Sequence, residues 1–194
     1  MPVLVFIETD EGSVKKSSLE ATGYAAEVAR MTGTTATALV VGEIEAAALE
    51  DVGKAGAAKV LHAADGRLNT PSSQAYASVL AQAAEKENAD IVVLAKSGLT
   101  DAMASRVAAR LKAGLAANVT ELPDLSNGFR VKRSIYTGKA FAVTEMKSAK
   151  KILAIKKNVF TPAETGGAAP VEAFSPVLHD ADFAVKVTGV EKAS

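Results

Sequence analysis

From Ala89 to Leu122 the chain reads ADIVVLAKSGLTDAMASRVAARLKAGLAANVTEL, and this stretch constrains the fold more than any other. Ile91 to Ala95 carries no polar side chain. An uninterrupted apolar run of that length reads as a strand buried on both faces. The polar loop Lys96-Ser97-Gly98-Leu99-Thr100 then opens a helix predicted to reach about Lys112, with Gly114 ending it and a second strand at Asn118–Leu122. Strand, loop, helix, strand is the crossover unit of a parallel sheet. In such sheets, ligands and partners meet the loops beyond the carboxyl ends of the strands. The Lys96–Thr100 loop is therefore the first candidate for function.

The same rhythm extends back to the start of the chain. Val3–Ile7 is a short apolar run closed by Glu8, Thr9 and Asp10, and reads as a central strand. Ser17 and Ser18 are placed to cap a helix through about Met31, ended by Gly33. Strands are predicted at Thr35–Val41 and around Val60–His62, with a short helix from Ile44 to about Val52 between them. Thr70-Pro71-Ser72-Ser73 signals a further helix to about Glu87. Strands alternating with helices from Val3 to Leu122 predict an α/β fold, doubly wound, with a mainly parallel sheet flanked by helices. After Leu122 the pattern changes. Pro123–Gly128 is turn chemistry, Phe129–Tyr136 and Ala140–Glu145 alternate polar with apolar residues, and Thr137-Gly138-Lys139 joins them, so an antiparallel hairpin is expected. Lys151–Ile155 is one more strand. The expected organisation is an α/β domain over 1–160, then a linker-like segment over 161–194 with an edge strand at Phe183–Val190.

Composition removes several classes of function. Aromatic residues make up only 5% of the 194, so a core of Ala, Val, Leu and Ile is required, which suits helices packed closely on a parallel sheet. A net charge of zero argues against a general nucleic-acid binder, which needs a basic excess. With no Cys there is no disulfide, thiolate metal site or Cys nucleophile. No apolar stretch is long enough to span a membrane, and the N-terminus lacks a basic n-region before its short apolar run. Together with the absence of Cys this leads to the expectation of a cytoplasmic protein, not itself in a membrane.

Candidate site residues are few. No G-x-G-x-x-G or Walker sequence exists among the glycines. His62 and His179 are isolated, so no metal site is expected. Ser97 and Ser105 have no base at a readable spacing, and no catalytic residue is assigned. Ser97 or Thr100 is the expected cap of the helix. Arg106 stands on that helix near a strand's carboxyl end, where a bidentate contact to a partner carboxylate is available to it. The region Arg130 to Lys157 is basic, with Glu145 its only acid. Such charge protects edge strands from aggregation and also suits an acidic partner.

Several of these segments resemble the alpha subunit of electron transfer flavoproteins. Arg106-Val107-Ala108-Ala109-Arg110-Leu111 matches the family's Arg-Ala-Ala-x-Leu helix, and Asn118-Val119-Thr120 its following strand, with Asn for the usual Asp. Arg133, Tyr136, Gly138 and Ala140 match its Arg-Pro-x-Tyr-x-Gly-x-Ala segment, with Ser134 in place of Pro. Lys156-Lys157 stands where the family often has Arg-Pro, and Ala169–Glu172 and Val187–Lys192 also fit. The resemblance implies the N-terminal domain of such a subunit, with the flavin-binding domain expected to begin where this chain stops. It implies FAD in that further domain, AMP in a beta subunit, and neither in this chain. It also implies a heterodimer with that beta subunit, which carries electrons from dehydrogenases such as acyl-CoA dehydrogenases, in fatty acid β-oxidation, to a quinone-reducing acceptor. On this reading the chain is a scaffold rather than an enzyme, and Arg106, Arg133 and Tyr136 are its interface residues. The alternative is a stand-alone adenine-nucleotide-binding α/β domain of the universal-stress-protein type, which would use Ser97, Gly98 and Thr100 at the helix N-terminus.

Overall fold

In the computed structural model, residues 1–161, 167–185 and 188 are described. In chain order the strands are β1 (Val3–Ile7), β2 (Thr9–Asp10), β3 (Ser13–Val14), β4 (Ala36–Val41), β5 (Lys59–Ala63), β6 (Ile91–Ala95), β7 (Gly114–Val119), β8 (Arg130–Ile135), β9 (Ala140–Glu145), β10 (Lys151–Ile155) and β11 (Val171–Ala173). The helices are α1 (Lys16–Met31), α2 (Ala46–Lys54), α3 (Ser73–Lys86) and α4 (Gly98–Leu111). Nine strands form one sheet in the order β11-β5-β4-β1-β6-β10-β7-β8-β9, and β2 and β3 make a separate small hairpin. The pairings from β11 across to β7 are parallel; β7–β8 and β8–β9 are antiparallel. This is the expected α/β sheet with its late hairpin.

Alternation along each central strand fills two cores. Val3, Val5 and Ile7 of β1 pack with α1 and α2 on one face, while Leu4 and Phe6 pack with α3 and α4 on the other. All five residues of β1, β6 and β10 are buried, as strands covered on both faces require. Lys151 opens β10 as a buried cation. Its ammonium donates to the carbonyls of Ser148 and Ala149 at 2.7 and 3.2 Å and sits 5.3 Å from the Phe129 ring centroid.

Three local expectations change. Ser17 and Ser18 do not cap α1; Lys15 precedes its first turn, and the Ser18 hydroxyl instead accepts from the Glu8 backbone N–H at 2.9 Å. Gly114 does not end α4. Lys112, in the left-handed region at φ 51, closes the helix, so Gly114 is free to start β7 and donate to the Lys150 carbonyl at 3.0 Å. The strand expected at Asn118–Leu122 therefore runs over Gly114–Val119, with a register shift opposite Ala154 and Ile155 and Asn118 at φ 60. An edge strand forms at Val171–Ala173, and the edge strand expected at Phe183–Val190 falls in part outside the described residues. Phe183 ends a 3-10 turn from Asp180, and residues 186–187 and 189–190 lie outside the described residues.

Two buried phenols make stability depend on alkaline pH. The Tyr24 hydroxyl donates to the Glu121 carbonyl at 3.0 Å, its ring stands edge-on to Phe160, and burial pushes its ionisation up. Tyr76 donates to the Leu68 carbonyl at 2.6 Å and is pushed up to about 12, first by burial and then by the Glu8 charge. Above the ordinary phenol value of 10.0, the unfolded chain releases protons that the folded chain keeps, so stability falls as pH rises. We expect urea-unfolding stability to drop between about pH 10 and pH 12, with Tyr76 contributing roughly 2–3 kcal/mol of the loss. Tyr76→Phe should flatten that part of the fall.

Candidate functional site

The two groups of residues singled out from the sequence sit on different parts of the molecule. Ser97, Gly98 and Thr100 lie at the carboxyl end of β6, where α4 begins. Tyr136 lies on the tip between β8 and β9. Because β8 runs antiparallel to β7, that tip points back towards the amino ends of the parallel strands. The fold does not bring the two groups together.

At the carboxyl-end rim, the polar loop is closed on itself. Thr100 N–H donates to the Ser97 hydroxyl at 3.1 Å, and Ser97 N–H donates to the Thr100 hydroxyl at 2.8 Å, a reciprocal capping box. The Thr100 hydroxyl also donates to the Ala95 carbonyl at 2.6 Å, so it ties the helix start to the end of β6. Asp101 places a carboxylate in the first turn and pairs with Lys96 at 2.7 Å. The positive end of α4 is thus already balanced by its own side chains. A cavity of about 390 Å³ lies beside it, lined by Lys96, Ser97, Gly98, Asp101, Lys156 and Lys157. Arg106 borders a second, of about 340 Å³, and donates to the Ala102 carbonyl of its own helix at 2.6 Å.

A third cavity, of about 220 Å³, lies between the β2–β3 hairpin, the end of β4 and the segment before α3. Asp10, Glu11 and Glu43 line it, and among the described residues no Lys, Arg or His does. Glu8 sits next to this region, buried. Its Oε1 pairs with Lys15 at 2.5 Å, and its Oε2 has no hydrogen-bond partner among the described residues. The carboxylates of this third cavity repel phosphates, whereas the cavity beside the capped start of α4 carries Lys96, Lys156 and Lys157 together with Asp101.

The opposite pole of the sheet differs in kind. Phe141 and Val143 of β9 are 58% and 70% exposed, and Leu115 of β7 is 36% exposed. Cross-strand register puts Phe141 beside Ser134 and Val143 beside Lys132, with the Lys132 ammonium 5.0 Å from the Phe141 ring centroid. The other face of this ribbon is covered by the main core through Val131 and Phe129. Tyr136 is 77% exposed and holds φ 48, followed by Thr137 at φ 54. Left-handed backbone at Tyr and β-branched Thr is unusual and marks a built tip. Arg133 is half-buried and donates through Nε to the Ala117 carbonyl at 3.1 Å, so it braces β7 against β8. Phe141 and Val143 were not singled out from the sequence. The alternation of Ala140–Glu145 held the signal, since every second residue there is large and apolar or charged.

The family's sequence profile, described as the electron transfer flavoprotein domain, matches residues 3–178. The chain belongs to that family. It is 30% identical over 195 residues to Protein FixB of Clostridium saccharobutylicum, which covers 98% of this chain and 58% of that protein. It is 32% identical over 174 residues to the electron transfer flavoprotein subunit alpha of Paracoccus denitrificans, covering 88% of this chain and 53% of the relative. The Bacillus subtilis alpha subunit is 30% identical over 103 residues. The chain thus spans little more than half the length of the first of these relatives. Among the described residues, no helix is long and apolar enough to cross a membrane.

The capping box gives a direct test of the α4 start. Ser97→Ala should cost about 1 kcal/mol of stability. Thr100→Val should cost more, roughly 1–3 kcal/mol, because the buried Ala95 carbonyl loses its donor. Urea unfolding of the two variants measures both.

Proposed function

We propose that this chain acts as the scaffold and subunit-interface part of an electron transfer flavoprotein alpha subunit. The observation that supports this most is the open ribbon: a sheet face at Leu115, Phe141 and Val143 that nothing covers among the described residues, bordered by the β9 edge. Exposed apolar edge strands template pairing with other chains, so one kept this way is suited to a partner. The partner is the family's beta subunit. Lys132 and Lys139 at the border favour an acidic rim on it, and Tyr136 offers an aromatic contact at the tip.

In this reading the chain does no redox chemistry. FAD is held outside the described residues and carries the electrons; AMP is held by the beta subunit. The heterodimer collects electrons from flavin dehydrogenases, such as those acting on acyl-CoA in fatty acid β-oxidation, and delivers them to a quinone-reducing acceptor. It works in the cytoplasm. Arg106, exposed near the carboxyl-end rim, faces a different neighbour from the ribbon and bears on the placement of the flavin-bearing part. A nucleotide-binding role for Ser97, Gly98 and Thr100 is disfavoured by the self-satisfied cap and the Asp101 carboxylate.

The test is assembly with the beta subunit, followed by titration calorimetry. Phe141→Ala and Tyr136→Ala, in an alpha subunit of the relatives' length, should each raise Kd about tenfold or more, as central aromatic anchors do. Arg106→Ala should leave Kd within about twofold and alter the small-angle scattering of the complex instead. Unchanged Kd in both aromatic variants would remove the ribbon from the interface.

A further inference from the structure

The β5 edge of the sheet is closed by a segment that holds on differently from everything beneath it. Residues 167–170 run past α2, β11 pairs with β5, and residues 174–183 then cross the outer face of α3. Of residues 167–185 only Asp182 is buried. Two backbone bonds flank the short strand: Val60 N–H donates to the Pro170 carbonyl at 3.0 Å, and Phe174 N–H donates to the His62 carbonyl at 2.9 Å.

Most of the other polar anchors run through side chains at the surface. Glu172 pairs with Lys86 at 2.7 Å and Lys59 at 3.4 Å. Gln82 holds both backbone groups of Val177 at 2.8 Å, Gln74 donates to the Ala181 carbonyl at 2.6 Å, and Asp182 lies 3.7 Å from Arg110. Phe174, Leu178 and Phe183 rest half-buried against the α3–α4 core. Few buried apolar contacts and many exposed polar ones are the marks of a unit that opens before the rest. The body beneath needs none of them: β5 keeps its full pairing with β4, and Lys59 keeps Glu87 at 2.8 Å.

We infer that residues 167–183 form a releasable clasp, which lifts from the β5 edge and α3 while the sheet and its four helices stay folded. Release frees the polar edge of β5 and uncovers the apolar footprint of Phe174, Leu178 and Phe183. It also lengthens the tether to any following chain: residues 171–183, once extended, span about 45 Å. Glu172 is the latch, because it alone joins the clasp to both β5 and α3 by charge. Salt therefore loosens the clasp, since both of these pairs are solvent-accessible. The inference stands on this chain's own contacts and does not need the proposed function.

Residue-resolved amide hydrogen exchange on the 194-residue chain tests it, because β5 reports on both of its sides. The Val60 amide is bound to the clasp, whereas the Gly42 amide is bound to the Ala63 carbonyl of the same strand, on the β4 side. Val60 and Phe174 should share one exchange rate, about tenfold or more above that of Gly42. Raising salt from about 0.05 M to about 1 M should speed Val60 and Phe174 several-fold and leave Gly42 unchanged. Glu172→Gln should do the same at low salt and abolish most of the salt response. Gly53→Ala is the second variant: a Cβ there stands 2.5 Å from the Ala169 nitrogen and 3.2 Å from the Gly167 carbonyl, so it displaces the start of the clasp. It should speed Val60 without lowering the midpoint of global unfolding. Equal protection of Val60 and Gly42, joint acceleration of both, or no response to Glu172→Gln would each overturn the clasp.

Discussion

The slot between β6 and β7 is the constraint on which the rest of the sheet depends. The α4 crossover carries the chain from β6 to β7 but leaves a gap one strand wide. β10, the last strand of the body to be made, fills it. Its Lys151–Ile155 residues pair in parallel with Ile91–Ala95 on one side and with β7 on the other. Only then is β7 part of the sheet, and only through β7 do β8 and β9 join it. Lys151 marks the entrance to the slot. A buried ammonium is costly unless it is bonded, and two carbonyls and an aromatic face supply the compensation.

The two edges of the sheet are handled in opposite ways. At the β5 edge the chain comes back and covers its own strand with β11. At the β9 edge, among the described residues, nothing does so, and Phe141 and Val143 are left facing outward. A sheet protects its edges by covering, charging or pairing them. One edge here is covered from within and the other has charge around an apolar centre. The carboxyl-end rim, where α/β proteins most often act, is by contrast occupied with holding itself together. Its serine and threonine cap a helix, its aspartate pairs with Lys96, and Asp10, Glu11 and Glu43 line the cavity by the β2–β3 hairpin. Fold alone would place function there; the interface proposed for this chain rests instead on the ribbon.

Much of this architecture was legible in the residues. Apolar runs at Val3–Ile7, Ile91–Ala95 and Lys151–Ile155 announce central strands because both of their faces are covered. The Ser97 and Thr100 hydroxyls announce a cap because their spacing suits the first turn of a helix. The hairpin is visible in its alternation and turn residues. Local misreadings had local causes: Gly114 looked like a helix stop, but Lys112 accepted the left-handed conformation first, and Ser18 was diverted from capping by the Glu8 backbone.

What the sequence determined by itself is the kind of layer each segment makes, since burial on one face or two leaves its mark in the spacing of apolar side chains. Tertiary structure alone decided which strands are neighbours. Nothing in Lys151–Ile155 says that it enters between β6 and β7, and nothing in Val171–Ala173 says that it finds β5. Strand order depends on backbone hydrogen bonds, which are the same for every residue type, and on which slot remains open when the segment arrives. The same reason hides the ribbon's bare face. Phe141 and Val143 carry a strand's alternation whether their face is buried or bare, and only the assembled sheet shows that, among the described residues, no helix covers it.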